Sequence, residues 1–268
     1  MSVRGLDRGW RIFATGLSFT VFGCSTLLLT ATLFPLLWLW SRDVDERRLR
    51  FQHTYHRGCR FFIGFMKTLG LISYEVHGLE HLRGGNRLIL ANHPSLIDAV
   101  FLLSWMPEAV CIVKQALWHN PFLSWAVRAA GYIGNASPEG LIEDCTASLR
   151  AGHTLIVFPE GTRSVPGRPP QFKRGAARIA LGAAVPIIPV QICCEPITLT
   201  KGQKWYQVPE RTPHYSFVVG APLPAARFAA TPGESTSQAA RRLTRQLQAV
   251  LVPSPDSLGE ADPVWSML

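Results

Sequence analysis

The sequence predicts an α/β fold, namely a mixed, largely parallel sheet covered by helices and preceded by an N-terminal membrane-associated helical segment. After residue 70, short apolar runs alternate with helix-length amphipathic segments, which is the pattern of helices that cover a sheet. Residues 12–40 contain no charged residue, and such a run exceeds the ~20 apolar residues needed to cross the hydrocarbon core. The length of 268 residues suits one sizeable domain with an appendage.

These patterns divide the chain into three segments. Residues 1–70 are predicted to be the membrane-associated helical segment, residues 71–252 a globular domain, and residues 253–268 a flexible tail. The tail combines prolines, a glycine and acidic residues, a composition that buries too little apolar surface to fold on its own.

Basic residues exceed acidic ones, with 27 Lys and Arg against 18 Asp and Glu and a net charge of +9. A basic surface suits an anionic partner such as a phospholipid bilayer, a phosphate ester, an acidic carrier protein or nucleic acid. The sequence contains neither zinc-finger spacing nor an aromatic RNA-binding motif, so we expect no nucleic-acid partner. The six cysteines form no C-x-x-C pair, and we expect reduced thiols and no metal site.

The uncharged run 12–40 has arginines on both sides, which leaves its orientation open. It can cross the bilayer once, or it can enter one leaflet as a helical hairpin bent near Gly23 or Pro35. A cleaved signal peptide is a poor match, because its apolar core would be about 7–15 residues long. Trp38 and Trp40, at the end of the run, are typical of anchors at the membrane interface.

Amphipathic helix and then strand patterns follow this run. Between residues 43 and 70, charges mix with aromatic residues, which indicates one or two helices leading to the globular domain. Six later segments are short, apolar and rich in β-branched residues, and we predict that they are strands. They are residues 74–77, 87–91, 109–113, 154–158, 186–193 and 215–220. Pro189 interrupts the fifth of them, and because proline cannot donate to the ladder, we expect an edge position or a bulge there.

Helices are predicted between the strands. The first begins near Pro94, since proline is favoured in the first helical turn, and continues through AVFLLSW. The next covers residues 121–130 and ends at Gly131, a residue type that commonly caps helices. The remaining helices cover residues 141–151, 175–184 and 236–251.

A histidine and an aspartate lie at the border of predicted buried structure. Residues 92–98 read NHPSLID and follow the apolar strand RLILA. Residues five apart do not share a face of a continuous helix, so His93 and Asp98 meet only if His93 lies outside the helix and Asp98 points back from it. The carboxylate would then fix the imidazole tautomer and leave Nε2 free to take a proton. No G-x-S-x-G motif supplies a nucleophile, so the substrate is expected to bring the hydroxyl.

A second motif, residues 158–164, reads FPEGTRS and directly follows the strand TLIVF. Ligands of open α/β sheets bind at this end of the strands. Gly161 permits a tight turn, while Thr162 offers a hydroxyl and Arg163 a forked cation that matches phosphate. Glu160 is expected to orient a hydroxyl or to hold the arginine. Further basic residues follow at Arg168, Lys173 and Arg174.

Together, the two motifs resemble the PlsC-type glycerophospholipid acyltransferases of the lysophosphatidic acid acyltransferase superfamily. NHPSLID fits N-H-x-x-x-x-D, and FPEGTRS fits F-P-E-G-T-R-S in the expected order. Weaker family blocks match at Lys114, RAAGYIGN and VPIIPV, so the resemblance covers roughly residues 70–225. It implies that residues 71–252 form an acyltransferase domain on the cytoplasmic face of a membrane, such as a bacterial inner membrane. It also implies transfer of a fatty acyl group from acyl-CoA or acyl-carrier protein to a lysophospholipid hydroxyl in phospholipid biosynthesis.

The same resemblance implies a role for each motif residue. His93 would be the general base on the acceptor hydroxyl, and Asp98 would orient it. The acceptor's polar head would be held by Glu160, Gly161, Thr162 and Arg163, with Lys173 and Arg174 adding charge. Pro189 would shape the wall of the acyl or acceptor pocket. The thioester donor acts as co-substrate, and neither a metal nor another cofactor is expected.

One departure from the family pattern concerns the acceptor. The second family block usually ends in an arginine that helps to bind the acceptor phosphate, but this sequence reads GYIGNASPEG, with Asn135 and Ser137 in that region. Arg128 lies too early to replace it. Phosphate binding would then depend on Arg163 with Lys173 or Arg174, or the acceptor is another hydroxylated lipid.

Two further functions remain open at this stage. Water could replace the acceptor, which would make the protein a thioesterase or lipid hydrolase with the same dyad. A non-catalytic lipid-binding protein is disfavoured, because binding alone does not require both His93 and Asp98.

Overall fold

The computed structural model describes residues 3–135 and 137–252. Within them, seven strands form one sheet in the order β1-β7-β6-β2-β5-β3-β4. The strands are β1 (Ser73–His77), β2 (Leu88–Ala91), β3 (Ala109–Val113), β4 (Ile133–Gly134), β5 (Thr154–Val157), β6 (Ile187–Glu195) and β7 (His214–Val219). Of the pairs between neighbours in this order, only β6–β7 is antiparallel. The predicted mixed, largely parallel sheet is therefore confirmed.

Helices cover both faces of the sheet. They are α1 (Val3–Ala31), α2 (Leu33–Trp40), α3 (Val44–Thr68), α4 (Asp98–Trp105), α5 (Gln115–Trp118), α6 (Ser124–Ala129), α7 (Pro138–Arg150), α8 (Arg174–Ala183) and α9 (Thr236–Leu251). On one face, α4 packs on the strands and α3 packs on α4. On the other face, α7, α8 and α9 pack side by side. The strands are buried between these layers, as near-continuous apolar runs in a parallel sheet require.

The helix predicted to begin near Pro94 begins instead at Asp98. Residues 92–97 form an extended and turning connection, because the backbone N–H of Ser95 bonds the Asp98 carboxylate rather than joining a helical ladder. The prediction of residues 121–130 as one helix was too long, since only α6 is helical there. Its C-terminal prediction was correct: Gly131 has φ +75°, a value that glycine adopts without strain. The sequence patterns missed the short elements α5 and β4.

Pro189 lies inside the sheet rather than at an edge, and β6 is unbroken across it. The segment that follows β7, however, carries one extra residue opposite β6. Two residues separate Ile187 from Val190 on β6, whereas three separate their partners Val219 and Leu223. Ile187 exchanges both backbone hydrogen bonds with Leu223. Backbone nitrogens two residues apart on a strand point to the same side, so the backbone nitrogen of Pro189 faces the same neighbouring segment as that of Ile187. The extra residue opposite Pro189 accommodates the missing N–H.

The N-terminal helices run antiparallel to α3 along its length. Trp10 Nε1 donates to the Leu69 carbonyl at 3.2 Å, and the Phe34 and Phe51 rings stack near the other end at 4.4 Å. The helix continues through Gly23, which contradicts a hairpin bend there. It is interrupted at Thr32, because Pro35 lacks the N–H that would bond the residue four positions earlier. The chain reverses only after Trp40.

By length and composition, the helical stretch Asp7–Trp40 could cross a membrane once. The predicted tail, residues 253–268, lies outside the described residues. The division at residues 70 and 252 remains a prediction, although β1 does begin shortly after the first boundary.

Candidate active site

The two sequence motifs meet at one edge of the sheet. Residues 92–98 follow β2 and residues 158–164 follow β5, and these strands are adjacent and parallel. Their carboxyl ends therefore lie side by side, which is where ligands of such sheets bind. Lys114 follows β3, the next strand, and is exposed at the same edge.

His93 and Asp98 form a hydrogen-bonded pair. The Nδ1–H of His93 donates to Asp98 Oδ2 at 2.9 Å, and the same oxygen accepts the Ser95 backbone N–H at 2.7 Å. The Asp98 side chain is fully buried, whereas 16% of the His93 side chain is exposed. Asp98 is the first residue of α4, where the helix dipole favours a negative charge. The His93 Nε2 atom makes no hydrogen bond with the described residues.

Burial raises the pKa of the Asp98 carboxyl above its ordinary value. The hydrogen bond and charge of His93 and the Ser95 N–H oppose this rise, while the charge of Glu160 adds to it. The carboxyl group is thus held in place by its partners rather than by solvent. A carboxylate placed on one ring nitrogen in this way fixes the tautomer of the imidazole and leaves the other nitrogen free.

The FPEGTRS loop holds His93 on three sides. Glu160 Oε1 accepts the His93 backbone N–H at 2.8 Å, and the Ser164 N–H donates to the His93 carbonyl at 2.8 Å. The Phe158 ring stacks on the imidazole with centroids 4.1 Å apart. Glu160 Oε2 accepts the Ser164 hydroxyl at 2.8 Å, so both of its oxygens have partners within the protein. His93 is thus fixed by a neighbouring loop as well as by Asp98.

A deeper layer ties the NHPSLID loop to the sheet. The Asn92 side chain bonds both the carbonyl and the N–H of Ile192 on β6, each at 2.7 Å. The Ser95 hydroxyl lies 2.9 Å from the hydroxyl of Tyr215 on β7, and burial raises the pKa of Tyr215 well above its ordinary value. These bonds leave the loop little freedom. The positions of His93 and Asp98 are therefore set by β2, which precedes the loop, and by the bonds to β6 and β7.

The structure places the other predicted residues as follows. Arg163 Nη1 donates to the Leu199 and Thr200 carbonyls at 2.8 and 3.0 Å, so part of its fork holds the loop after β6. Gly161 has φ +66°, and a Cβ there would lie 3.1 Å from Lys173 Nζ, which places this ammonium directly over the turn. Thr162, Lys173 and Arg174 are exposed. Pro189 is buried within the sheet opposite Leu90, and its predicted role as a pocket wall remains a prediction.

The departure from the family pattern has a structural explanation. Asn135 Oδ1 accepts the Gln115 backbone N–H at 2.7 Å, which supports the start of α5. The Ser137 hydroxyl caps α7 by accepting the Gly140 N–H. Arg128 stacks over Trp118 at 4.9 Å and donates to the Trp118 carbonyl. Asn135 and Ser137 thus organise the local backbone instead of supplying a charge.

Several residues of the site had no clear sequence signal. Asn92 and Ser164 belong to the two motifs, so their proximity to His93 could have been anticipated, although their partners could not. Tyr215 comes from a strand more than a hundred residues away in sequence, and no local pattern marks it. Within the described residues, no three His, Cys, Asp or Glu side chains gather in an arrangement that could hold a metal ion.

Comparisons with known proteins identify the family. Residues 73–193 match the acyltransferase family model. The chain is 29% identical over 172 residues to a 1-acyl-sn-glycerol-3-phosphate acyltransferase of Pseudomonas aeruginosa, covering 61% of this chain and 67% of that protein. It is 30% identical to the enzyme of the same name from Limnanthes alba, covering 69% of this chain and 67% of that protein.

A solved structure supports the fold. The crystal structure of the 1-acyl-sn-glycerophosphate (LPA) acyltransferase PlsC from Thermotoga maritima matches with a TM-score of 0.60 at 22% identity, over 92% of this chain and 97% of that one. At this identity, the match speaks for the fold. Taken with the sequence relatives, the His–Asp pair and its flanking loop place this chain among the 1-acyl-sn-glycerol-3-phosphate acyltransferases.

Proposed function

We propose that the enzyme transfers a fatty acyl group from a thioester donor, acyl-CoA or acyl-carrier protein, to the free hydroxyl of lysophosphatidic acid, and so forms phosphatidic acid. The observation that carries this proposal is the His93–Asp98 pair with an unbonded Nε2 at an open sheet edge. A base that is oriented on one nitrogen and free on the other is suited to a hydroxyl brought by the substrate.

The residues support a direct transfer. The His93 Nε2 takes the proton of the acceptor hydroxyl as the oxygen attacks the thioester carbonyl, and Asp98 stabilises the imidazolium that results. When the tetrahedral intermediate collapses, the carbon–sulfur bond breaks and the imidazolium returns the proton to the leaving thiolate. The products are an ester and a free thiol, and His93 is neutral again. These reaction steps need neither a metal nor a cofactor besides the thioester donor.

The acceptor phosphate is proposed to bind beside this pair. Lys114 and Lys173 are exposed cations near the ends of β3 and β5, and Arg163 retains donors that its carbonyl partners do not use. The Thr162 hydroxyl and the backbone at Gly161 lie in the same turn. Cations that converge on an open edge are suited to a phosphate monoester. We propose that Glu160 instead positions His93, because both of its oxygens are already bonded within the protein.

Membrane association of the N-terminal helices forms part of the proposal. Large apolar side chains are exposed along them, and such patches mark membrane or protein contacts. They are Trp10, Phe13, Leu17, Phe22, Leu27, Leu28, Leu36, Trp38, Leu39 and Trp40. The adjacent α3 carries exposed Arg57 and Arg60 midway along its length, and a spanning orientation would take these charges into hydrocarbon. We therefore propose that α1 and α2 lie in one leaflet. Because the donors are cytoplasmic molecules, the leaflet is the cytoplasmic one, as in a bacterial inner membrane.

The test is an acyl-transfer assay with labelled acyl-CoA and acyl-carrier protein against a panel of lysolipids, with wild type and His93→Ala. We expect phosphatidic acid from lysophosphatidic acid and a loss of about 10³-fold or more in the variant. Release of free fatty acid alone would favour a hydrolase. Acylation of a non-phosphate acceptor alone would point to the Asn135 and Ser137 departure as the cause. An unchanged rate in His93→Ala would refute the mechanism.

A further inference from the structure

Helices α8 and α9 carry a concentration of positive charge that the proposed reaction does not use. Their sequences, RGAARIALGA and TSQAARRLTRQLQAVL, contain five arginines and no acidic residue. Arg242 pairs with Glu234 at 3.0 Å. The other four arginines, Arg174, Arg178, Arg241 and Arg245, are exposed, and we call them the arginine ridge.

The ridge arginines point the same way. Arg174 and Arg178 are four residues apart on α8, and Arg241 and Arg245 are four apart on α9, a spacing that places each pair on one helix face. The opposite faces are buried against the sheet through residues such as Ala176 and Leu243. Because α8 and α9 pack side by side on one face of the sheet, both arginine pairs project away from it.

The ridge charges have no partners among the described residues. No hydrogen bond or ion pair joins any of the four arginines to another described side chain. The neighbouring helix α7 carries Glu139, Glu143 and Asp144, but none of these carboxylates lies within ion-pair distance of the ridge. Four like charges on adjacent helices repel one another, and within the part of the chain that the structure describes no carboxylate offsets this repulsion, so an anionic partner would relieve it.

The position of the ridge narrows the choice of partner. It begins next to the catalytic loop, because the Lys173 N–H bonds the Pro159 carbonyl and Arg174 follows as the first residue of α8. It lies on the sheet face opposite α4 and the C-terminal half of α3. The first half of α1 packs on that half of α3, whereas Phe34 of α2 and Phe51 of α3 pack against Trp125 of α6. A bilayer that receives the apolar side of α1 therefore meets the other side of the molecule. The ridge is also a convex pair of helices, whereas small ligands bind in concave sites.

We propose that the arginine ridge is the docking surface for an acidic, helical acyl-carrier protein, which delivers its thioester to the sheet edge where His93 lies. This inference rests on the proposed function and names its protein donor. Complementary charge on two rigid helices would steer the carrier protein and set its orientation. This electrostatic contribution to binding would weaken as the salt concentration rises.

The test compares the two donors in one variant. Arg178→Glu, Arg241→Glu and Arg245→Glu are combined, and Arg174 is left unchanged because of its place beside the catalytic loop. We expect the KM for palmitoyl-carrier protein to rise by about tenfold or more, since like charges across an interface strongly disfavour association. The KM and rate with palmitoyl-CoA should change by less than about twofold. Arg83→Glu is the matched control, because Arg83 is exposed and precedes β2, at the opposite end of the strand from His93.

Direct binding separates the docking from the chemistry. Fluorescence anisotropy of dye-labelled holo-carrier protein should show binding to wild type and to Arg83→Glu, weakened by salt, and reduced about tenfold or more in the triple variant. If wild type transfers acyl groups from neither donor, the proposed function fails, while the anisotropy still decides the docking.

Three results would overturn the proposal. Equal losses with both donors would assign the ridge to a role shared by both, such as fold or CoA phosphate binding. Loss of cosedimentation with phosphatidylglycerol vesicles would assign it to the bilayer. Unchanged carrier binding would leave it without this role. If circular dichroism shows that the triple glutamate variant is unfolded, the triple glutamine variant replaces it, with a smaller rise in the same KM expected.

Discussion

Glu160 offers a sharp test of how the site is held together. Its carboxylate accepts the His93 N–H and the Ser164 hydroxyl, each at 2.8 Å, and the residue is only 4% exposed. Hydrogen bonds to a charged group contribute about 1.5–3 kcal/mol each. Glu160→Ala removes both, so we expect the free energy of unfolding to fall by about 3 kcal/mol or more.

The catalytic effect of Glu160→Ala follows from the freedom that His93 gains. A misplacement of a catalytic group by about 1 Å costs roughly 10²-fold in rate, and we expect kcat to fall by about that factor. Glu160→Gln should behave differently, since its oxygen can still accept the His93 N–H and its amide can donate to Ser164. Loss of the charge alone is worth about 1 kcal/mol, so kcat should fall by less than about tenfold.

A pH profile shows whether the charge of Glu160 also acts on the dyad. That charge raises the pKa of Asp98, so Glu160→Gln lowers it, and the acid limb of kcat/KM should move to lower pH. The assays are steady-state acyl transfer across the pH range and urea unfolding of each variant. The positioning role is refuted if Glu160→Gln loses as much activity as Glu160→Ala and raises the KM for lysophosphatidic acid, because the carboxylate would then be binding the acceptor.

Further predictions concern charge, solvent exposure and backbone strain. Burial raises the pKa of Asp98, so ionisation of this side chain disfavours the folded state. Its contribution to the free energy of unfolding is therefore present at low pH and is lost as the pH rises through the pKa of the folded state. Asp98→Asn should therefore unfold at higher urea than wild type at pH 7, with the difference shrinking toward pH ~4, while kcat falls by about 10³-fold or more. If the stability that Asp98→Asn gains over wild type were larger at pH ~4 than at pH 7, the predicted direction of the pH dependence would be wrong. A charged maleimide should label exposed Cys24 before buried Cys59, because burial raises the pKa of the Cys59 thiol to about 12. Phospholipid vesicles should slow the labelling of Cys24. Equal labelling rates with and without vesicles would argue against contact of α1 with the bilayer. Gly161→Ala forces a left-handed φ of +66° on alanine and crowds Lys173, so thermal unfolding should show a loss of about 1 kcal/mol and acyl-transfer assays a higher KM for lysophosphatidic acid; an unchanged KM would remove Lys173 from the acceptor site.

The sequence was sufficient for the features that depend on local pattern. Every predicted strand appears within a few residues of its expected position, because buried parallel strands are written as short apolar runs. The meeting of His93 with Asp98 could also be expected, since only an offset of the histidine from the helix brings residues five apart together. The prediction of a helix at Pro94 failed because the Asp98 carboxylate captures the Ser95 N–H, and side-chain bonds of this kind compete with a helical ladder.

The parts that the sequence could not supply depend on long-range pairing. The bonds of Asn92 to Ile192 and of Ser95 to Tyr215 join positions about a hundred residues apart. They exist only because β6 and β7 reach the same region of the sheet, and strand order is not written in local periodicity. The engagement of Glu160 with His93 likewise requires that β2 and β5 be neighbours. The motif predicted that Glu160 orients a hydroxyl or holds Arg163, and in the structure its carboxylate accepts the His93 N–H and the Ser164 hydroxyl.

The loop after β5 bonds both the N–H and the carbonyl of His93. Because these bonds require that β2 and β5 be paired, we expect catalytic competence to appear late in folding. Leu88 pairs with Leu155 and Leu90 with Val157, and a slip of that pairing by one residue would carry Glu160 and Ser164 away from the histidine by more than the reach of a hydrogen bond. A chain whose apolar helices have already reached a bilayer, but whose sheet is unfinished, would thus hold an imidazole with no fixed direction. Recovery of acyl transfer during refolding should lag behind recovery of helical signal, and its time course would report when these two strands lock into alignment.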